Sequence, residues 1–453
     1  MKIRTLLLIG VLLALAAIGA CRSEPVEITV VETVEVVQTV EVVQTVEVEK
    51  VVEKEVTVVA TVEVEKVVEV PAEAEDQEYV LGIVLPFTGS LGSFGVGFRN
   101  GIELAVEQMN ERLESVGSNI HFITVNADTE GTPEGAARGV QTVVQTSGAK
   151  AIVGPLTTSE VLGAKQFADE NDVIIFAPAS SGVAGALPDD NIFRIMYPPD
   201  TFAGQAFSQI ALTRGYENVV ILYLDDPFGS GMVDIFTAEF QENGGKEVAT
   251  VKYAPEPADL TSEAAAVSAE IARLADAGPT AFFCVCFLGD AQKLLQQAVV
   301  DPVLGSVDWL GIENLASPEI LEDAGHAEFL AQVGLTSVSF ADTPNPNTQP
   351  FIDAYTEKYG EEPGPFTNYA YDVANIAMMS MLVAGNDGAQ IKKIVPFISD
   401  HYIGTQVQGA LDENGDQAVA SYGIFQVNAE GTEFGSIGNY TSADGRVVFA
   451  EEE

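Results

Sequence analysis

From residue 79 onward, short apolar runs alternate with amphipathic stretches of helical period, and few folds satisfy that pattern. Residues 79–85 read as a buried strand, after which Ile102, Ala105, Val106, Met109 and Leu113 recur on one helical face. Further strands are predicted at 121–125, 151–153 and 173–177, with helices at 135–146 and 159–171. Short apolar strands joined by amphipathic helices predict a parallel sheet covered on both faces. Tyr197-Pro198-Pro199-Asp200 interrupts the series, because neither a helix nor a central strand continues through two prolines. The alternation then begins again, with strands at 219–224, 247–253 and 281–287 and helices ending near Asn243 and Ala277. The fold class expected is therefore α/β, with two doubly wound parallel-sheet lobes.

The N-terminal part obeys other rules. Lys2 and Arg4 precede an apolar run over 6–18, and Ile18-Gly19-Ala20-Cys21 closes it. A short apolar core with a small-residue exit is the pattern of an export signal, here 1–20, and a cysteine directly after the cleavage site predicts lipidation at Cys21. Two or more acyl chains would hold the protein on the membrane, since one chain holds only marginally. An ordinary secreted chain with an incidental Cys21 is the alternative. In 21–78 a six-residue unit, Thr33-Val-Glu-Val-Val-Gln38, recurs unchanged at 39–44 and drifts at 45–50 and 61–66. The even period keeps Val34, Val36, Val40 and Val42 on one face of an extended chain. Such a segment closes no core, and a stalk between anchor and folded body is the simplest use for it. Self-association through valine ladders is the other.

With 21 basic and 67 acidic side chains, the net charge of -46 argues against nucleic acid and anionic headgroups as partners. Adaptation to salt and general composition bias both account for it. Cys284 and Cys286 lie in an apolar run, 281–287, where alternate strand residues share a face. That arrangement is poor for a mutual disulfide, so both are expected as small core residues without metal or redox roles. His121, His326 and His401 are far apart in the chain, and no Gly-x-Ser-x-Gly, His-Glu-x-x-His or spaced Cys/His cluster is present. The expectation is a binding protein with no enzymatic activity, no cofactor and no metal.

In open parallel sheets, ligands bind beyond the carboxyl ends of the strands. Three loops qualify. The first, 86–97, ends in Gly95-Val-Gly97, which with Gly101 beyond it is a near miss to a dinucleotide fingerprint, with Asp128 as the acid such a site would need. Its glycines stand too far from the strand to draw a pyrophosphate onto the helix, so a ligand-lining loop is expected instead. The second, 154–160, pairs Thr157 with Glu160 at capping-box spacing and sets Thr158 and Ser159 at a helix start. The third, 177–182, adds Ala179, Ser180 and Ser181. Hydroxyls and free amides there suit a carboxylate.

The order of Gly82-Ile-Val-Leu-Pro-Phe-Thr-Gly89, Ile152-Val-Gly-Pro-Leu-Thr-Thr-Ser159, Phe176-Ala-Pro-Ala-Ser-Ser181, Leu222-Tyr-Leu-Asp-Asp-Pro-Phe-Gly229 and Gly409-Ala-Leu-Asp-Glu-Asn-Gly-Asp416 resembles the type I periplasmic binding proteins. Within them it is similar to the branched-chain amino acid subgroup that serves ABC importers. The resemblance implies lobes at 79–197 plus about 338–408 and at 200–335 plus about 409–450, joined by a multi-strand hinge with crossings near 196–200, near 334–338 and before Gly409. It implies carboxylate binders at Thr158, Ala179 through its backbone, and Ser181, with Ser159 beside them. It implies an ammonium acceptor at Glu313, which follows the apolar run 309–312. Where the family often has pocket tyrosines, this chain has Phe94, Phe228 and Phe287, which makes the pocket more apolar. Phe366 and Tyr369 are candidates for the far wall. The implied role is extracytoplasmic capture of a small amino acid, with closure read by separate permease and ATPase chains. A sensor on the same fold, a non-amino-acid solute such as an amide, urea-like compound or aromatic acid, and a stalked adhesion or scaffold protein are the alternatives. Replacing Cys21→Ser is expected to move the chain from the membrane to the soluble fraction on cell fractionation; an unchanged distribution would exclude the lipid anchor.

Overall fold

The structure, a computed structural model, describes residues 26–34, 62–70, 75–195, 197–340, 345–405 and 410–450. The export signal, Cys21, most of the repeat, Met196 and Gly409 lie outside the described residues. Two units form. In the first, β1 (Val26–Val34) and β2 (Val62–Val70) pair antiparallel in unbroken register from Val26↔Val70 to Val34↔Val62. Valine and threonine at this density favour extended backbone, as their branched side chains restrict χ1.

The second unit, 78–453, carries two sheets. The smaller is built from β3 (Gln77–Leu85), α1 (Gly92–Ser115), β4 (Ile120–Asp128), α2 (Pro133–Ser147), β5 (Ala151–Val153), α3 (Thr158–Glu170), β6 (Ile174–Phe176) and β7 (Ile192–Phe193). Its strand order is β4-β3-β5-β6-β7, and β3, β5, β6 and β7 run parallel. The larger follows with α4 (Asp200–Thr213), β8 (Asn218–Leu224), α5 (Pro227–Glu242), β9 (Glu247–Tyr253), α6 (Thr261–Leu274), β10 (Thr280–Val285), α7 (Leu288–Ala298), β11 (Trp309–Gly311), α8 (Ala324–Gln332) and β12 (Thr336–Phe340). Here β9-β8-β10-β11-β12 repeats the order of the first sheet, and all these pairs are parallel. After α9 (Thr348–Tyr359), α10 (Thr367–Ala384) and α11 (Gly388–His401), the antiparallel strands β13 (Ser421–Val427), β14 (Phe434–Thr441) and β15 (Arg446–Phe449) extend it to eight.

Strands β5, β6 and β7 are buried along their whole length, as parallel strands covered on both faces must be. Helices α10 and α11 pack against the smaller sheet, so Ile376, Met378, Met381, Ile391 and Val395 share one core with Leu81, Val153 and Phe176. The expected crossing at 334–338 overlaps the start of β12, which stays paired with β11 and β13, so the chain leaves the larger sheet only after Phe340. The three C-terminal antiparallel strands were not expected from the sequence.

The cysteines need a correction. Cys284 and Cys286 form a disulfide, with Cα atoms 5.3 Å apart. The strand expected over 281–287 ends at Val285, and the backbone turns there toward α7. Residues two apart in a continuing strand stand about 6.4–6.8 Å apart, at the upper limit of the disulfide range, whereas 5.3 Å lies well inside it. The glycines of the first loop also find their use. A Cβ on Gly95 would stand 1.7 Å from the Pro86 carbonyl oxygen, and one on Gly101 2.7 Å from that of Thr367. These glycines let α1 lie against the strand end and against α10, and Asp128 accepts from the Phe87 N–H at 2.9 Å and the Thr88 hydroxyl at 2.8 Å. Among the described residues no helix is long and apolar enough to cross a membrane, and no three or more His, Cys, Asp or Glu side chains are grouped as metal ligands would be.

Arg194, directly after β7, is wholly buried with Asp416. Its Nε donates to Asp416 Oδ1 at 2.6 Å, its Nη2 to Oδ2, and its Nη1 to the Gly182 carbonyl at 2.7 Å. Removing one partner leaves a buried charge without compensation. Asp416→Ala is expected to lower stability by about 3–5 kcal/mol, measured by urea unfolding; a loss within 1 kcal/mol, roughly that of an exposed pair, would contradict this reading.

Candidate ligand-binding site

The carboxyl ends of both sheets open into one cavity of about 570 Å³, part of it open to solvent. From the smaller sheet come Leu91, Phe94 and Phe98 after β3, Leu156, Thr157 and Thr158 after β5, Ala179 and Ser181 after β6, and Tyr197 after β7. From the larger come Phe228 after β8, Phe287 after β10, and Ile312, Glu313 and Asn314 after β11, while Phe366 precedes α10. The strand order places the loops after β3 and β5, and after β8 and β10, at the switch points of the two sheets, where ligands are held.

The polar wall is built on α3. Thr157 caps it: its Oγ1 accepts from the Glu160 N–H at 3.3 Å, and its own N–H donates to the Glu160 carboxylate at 2.8 Å, the capping box expected from the sequence. Glu160 is buried and also accepts from the Thr129 hydroxyl; desolvation raises its pKa, and these hydrogen bonds oppose the rise. Thr158 accepts from the Gly182 N–H at 2.9 Å, and its hydroxyl lies 3.1 Å from that of Ser180. The Ser181 carbonyl accepts from the Asp200 N–H at 2.8 Å. Loop 180–182 is thus held from α3, Arg194 and α4 together, and Ser181 and Ala179 reach the cavity. Two expected residues do not line it, Tyr369 and, on α3 itself, Ser159. Its hydroxyl lies 3.2 Å from Thr157 Oγ1 and hydrogen-bonds Asp226, the N-cap of α5. A residue at the second helical position points along the helix flank rather than past its end, so Ser159 tethers α3 to α5.

The acidic wall is Glu313, 4% exposed at the start of a short 3-10 turn that follows β11. Its Oε1 has no hydrogen-bond partner among the described residues. Burial, with a lesser push from Asp200, raises its pKa from 4.5 to about 8. Asp200, also buried, is raised from 3.8 to about 7 by desolvation, against the opposing pull of the Ser181 hydroxyl and Arg194. The sequence marked Asp200 only as the end of a double-proline break, and nothing local signalled that its carboxylate would lie behind Ser181. Lysine, arginine and histidine are absent from the described lining. The remaining wall is aromatic. Phe228 and Phe287 stack at 5.4 Å between centroids, Phe94 and Phe366 at 6.5 Å, and Tyr197 meets Phe366 edge-on at 5.6 Å. Tyr369 touches Tyr197 and Phe366 without lining the cavity. Tyr197, Leu91, Phe98, Leu156, Ile312 and Asn314 were not singled out as lining residues, although Leu91 and Leu156 lie inside the loops expected at the site.

An acid whose pKa is raised in the folded state binds a proton that the unfolded chain has already lost. Stability therefore falls as pH rises from the ordinary value of 4.5 through about 8 for Glu313, with Asp200 acting in the same direction up to about 7. In the absence of ligand, Glu313→Gln is expected to raise stability at pH 8 by roughly 1–3 kcal/mol, with the gain vanishing near pH 5. Thermal unfolding at both values checks this, and a pH-independent difference would contradict it.

Residues 78–432 match the periplasmic binding protein family. An uncharacterised protein of Methanocaldococcus jannaschii is 25% identical over 391 residues, covering 81% of this chain and 90% of that protein. The leucine binding protein of Thermotoga maritima superposes with a TM-score of 0.68 at 22% identity, covering 81% of this chain and 99% of the other. An ABC transporter solute binding protein from R. palustris, in complex with benzoate, superposes with a TM-score of 0.66 at 17% identity, covering 83% and 98%. At these identities the two structures show a common fold. With two parallel sheets of the same strand order opening on one cavity, and with the family match spanning both, the chain belongs to the periplasmic binding protein family and has its two-lobed type I fold.

Proposed function

We propose that this chain is the extracytoplasmic solute-binding component of an ABC importer and takes an α-amino acid with an apolar side chain. The observation that carries the reading is Glu313: a buried carboxylate oxygen without a partner, on a cavity whose opposite wall offers hydroxyls and helix N-terminal amides. A ligand ammonium would supply the missing donor and the compensating charge. A ligand carboxylate would meet Thr158, the Ala179 backbone and Ser181 at the start of α3, where the helix dipole favours an anion. The phenyl walls would take the apolar side chain. The leucine binding protein of Thermotoga maritima favours this reading. The relative in complex with benzoate favours an aromatic acid instead, but such a ligand brings a negative charge to a cavity without a cationic residue and leaves Glu313 unpaired.

In this reading, the lobes are 79–197 with about 341–408 and 200–340 with about 409–450, the expected boundary near 335–338 moving to the end of β12. Because the ligand touches residues from both, it favours the closed form, and closure is what a permease would read. Lipidated Cys21 would anchor the chain and 21–78 would carry the lobes clear of the membrane.

Apolar amino acids are expected to raise the melting temperature of the full chain by mass action, with benzoate ineffective. An ammonium requires ionised Glu313, and the unliganded group titrates at about 8, so affinity is expected to rise between pH 6 and 8. The limit is about tenfold per unit, measured by calorimetry. Glu313→Gln should weaken binding and flatten that dependence. Stabilisation by benzoate alone, unchanged in Glu313→Gln, would sink the amino acid reading.

A further inference from the structure

We infer that the side chain of the bound ligand is an aromatic ring, so that phenylalanine-like amino acids are preferred over leucine, isoleucine and valine. This rests on the amino acid reading above and specifies the part of the ligand that Glu313 and Thr158 leave undefined.

The apolar wall consists largely of rings arranged on both sides of the cavity. Phe228 and Phe287 come from loops of the larger sheet, 5.4 Å apart and within 11° of parallel. Phe94, on α1, and Phe366, ahead of α10, are 6.5 Å apart and within 20° of parallel. Phe94 and Phe287 each pack against the cores of both sheets, so the two ring pairs approach each other across the cavity. Aromatic rings attract one another beyond what their buried area accounts for, through offset or edge-to-face contacts at about 4.5–7 Å. A third ring among these walls finds such partners, whereas a branched aliphatic group gains only its area.

The walls are also held in advance. Phe366 adopts a left-handed backbone conformation, φ 61°, which a phenylalanine takes only where its surroundings impose it. Tyr197 at 5.6 Å and Tyr369 at 5.6 Å fix its ring by edge and tilted contacts. Phe228 is fixed at the first turn of α5, which Asp226 caps by accepting from the Gly229 N–H at 2.8 Å. Pre-set walls of this kind select by shape, since little ordering of the walls is left to oppose binding.

Calorimetry on the purified full-length chain in detergent tests this with phenylalanine, leucine, isoleucine, valine and benzoate, alongside Phe287→Leu and Phe228→Leu. Phenylalanine is expected to bind at least about tenfold more tightly than leucine. Phe287→Leu should remove most of that preference, weakening phenylalanine by about tenfold while leucine stays within about threefold. Melting curves of the unliganded variants show that each is folded, and if Phe287→Leu is not, Phe228→Leu gives the same comparison. Leucine binding as tightly as phenylalanine would overturn the ring preference while leaving the amino acid reading intact. So would an equal loss of both ligands in a folded variant. Binding of benzoate with no α-amino acid bound would overturn the amino acid reading itself, and this inference with it.

Discussion

The guanidinium of Arg194 joins parts of the chain that no local rule would bring together. It takes both oxygens of Asp416, 222 positions further on, and the carbonyl of Gly182 on the loop that presents Ser181. Arg194 pairs with Asp416 as a parallel bridge, and its carbonyl accepts from the Gln417 N–H, so the edge of the smaller sheet and the approach to β13 share one buried contact. A wholly buried charge pair is tolerated only when every donor is matched, and a planar guanidinium meets that demand with a fixed fork of N–H groups. The geometry of loop 180–182 follows from it. With Gly182 held by Arg194 and Thr158, and the Ser181 carbonyl held by Asp200, the residues facing the cavity cannot drift.

Glu313, unlike that matched pair, has a buried carboxylate oxygen that no group among the described residues satisfies. Its Oε1 has no donor among the described residues, six of the fifteen residues lining its cavity are aromatic, and Asp200 repels it. The fold bears the cost of a buried acid in either state: protonated, the group holds a proton that water would take, and ionised, it lacks compensation. Such a site gains more from an N–H donor than a well-solvated carboxylate could. Cavity residues come from both sheets, so a ligand satisfying Glu313 on one side and the α3 terminus on the other links the two lobes through its own body.

Much of this was legible before any coordinates. The alternation of apolar runs with helical periods gave the parallel strands and their helices, because a strand covered on both faces has to be apolar throughout. Thr157 and Glu160 announced their capping box by spacing alone. Thr158, Ala179, Ser181, Phe94, Phe228, Phe287 and Glu313, named from the family resemblance, all line the one cavity. Ser159, named with them, turns toward Asp226 instead. The strand expected through Phe287 stops at Val285, and that early turn draws Cys284 and Cys286 within bonding distance. Apolarity continues past the strand because Cys286 and Phe287 remain packed in or against the core after the backbone has turned.

By itself, the sequence determined most of the strands and helices within 79–287 and where a helix would be capped, since these depend on period, side-chain shape and neighbours within a few residues. The tertiary structure alone decided that Asp200 would lie beside Ser181, that Arg194 would find Asp416, and that Phe366 would face Phe94 across 6.5 Å. Those meetings depend on strand order and on where the chain crosses from one sheet to the other. Hydrophobic period specifies which face of an element is buried, and it carries no record of which distant element will cover that face.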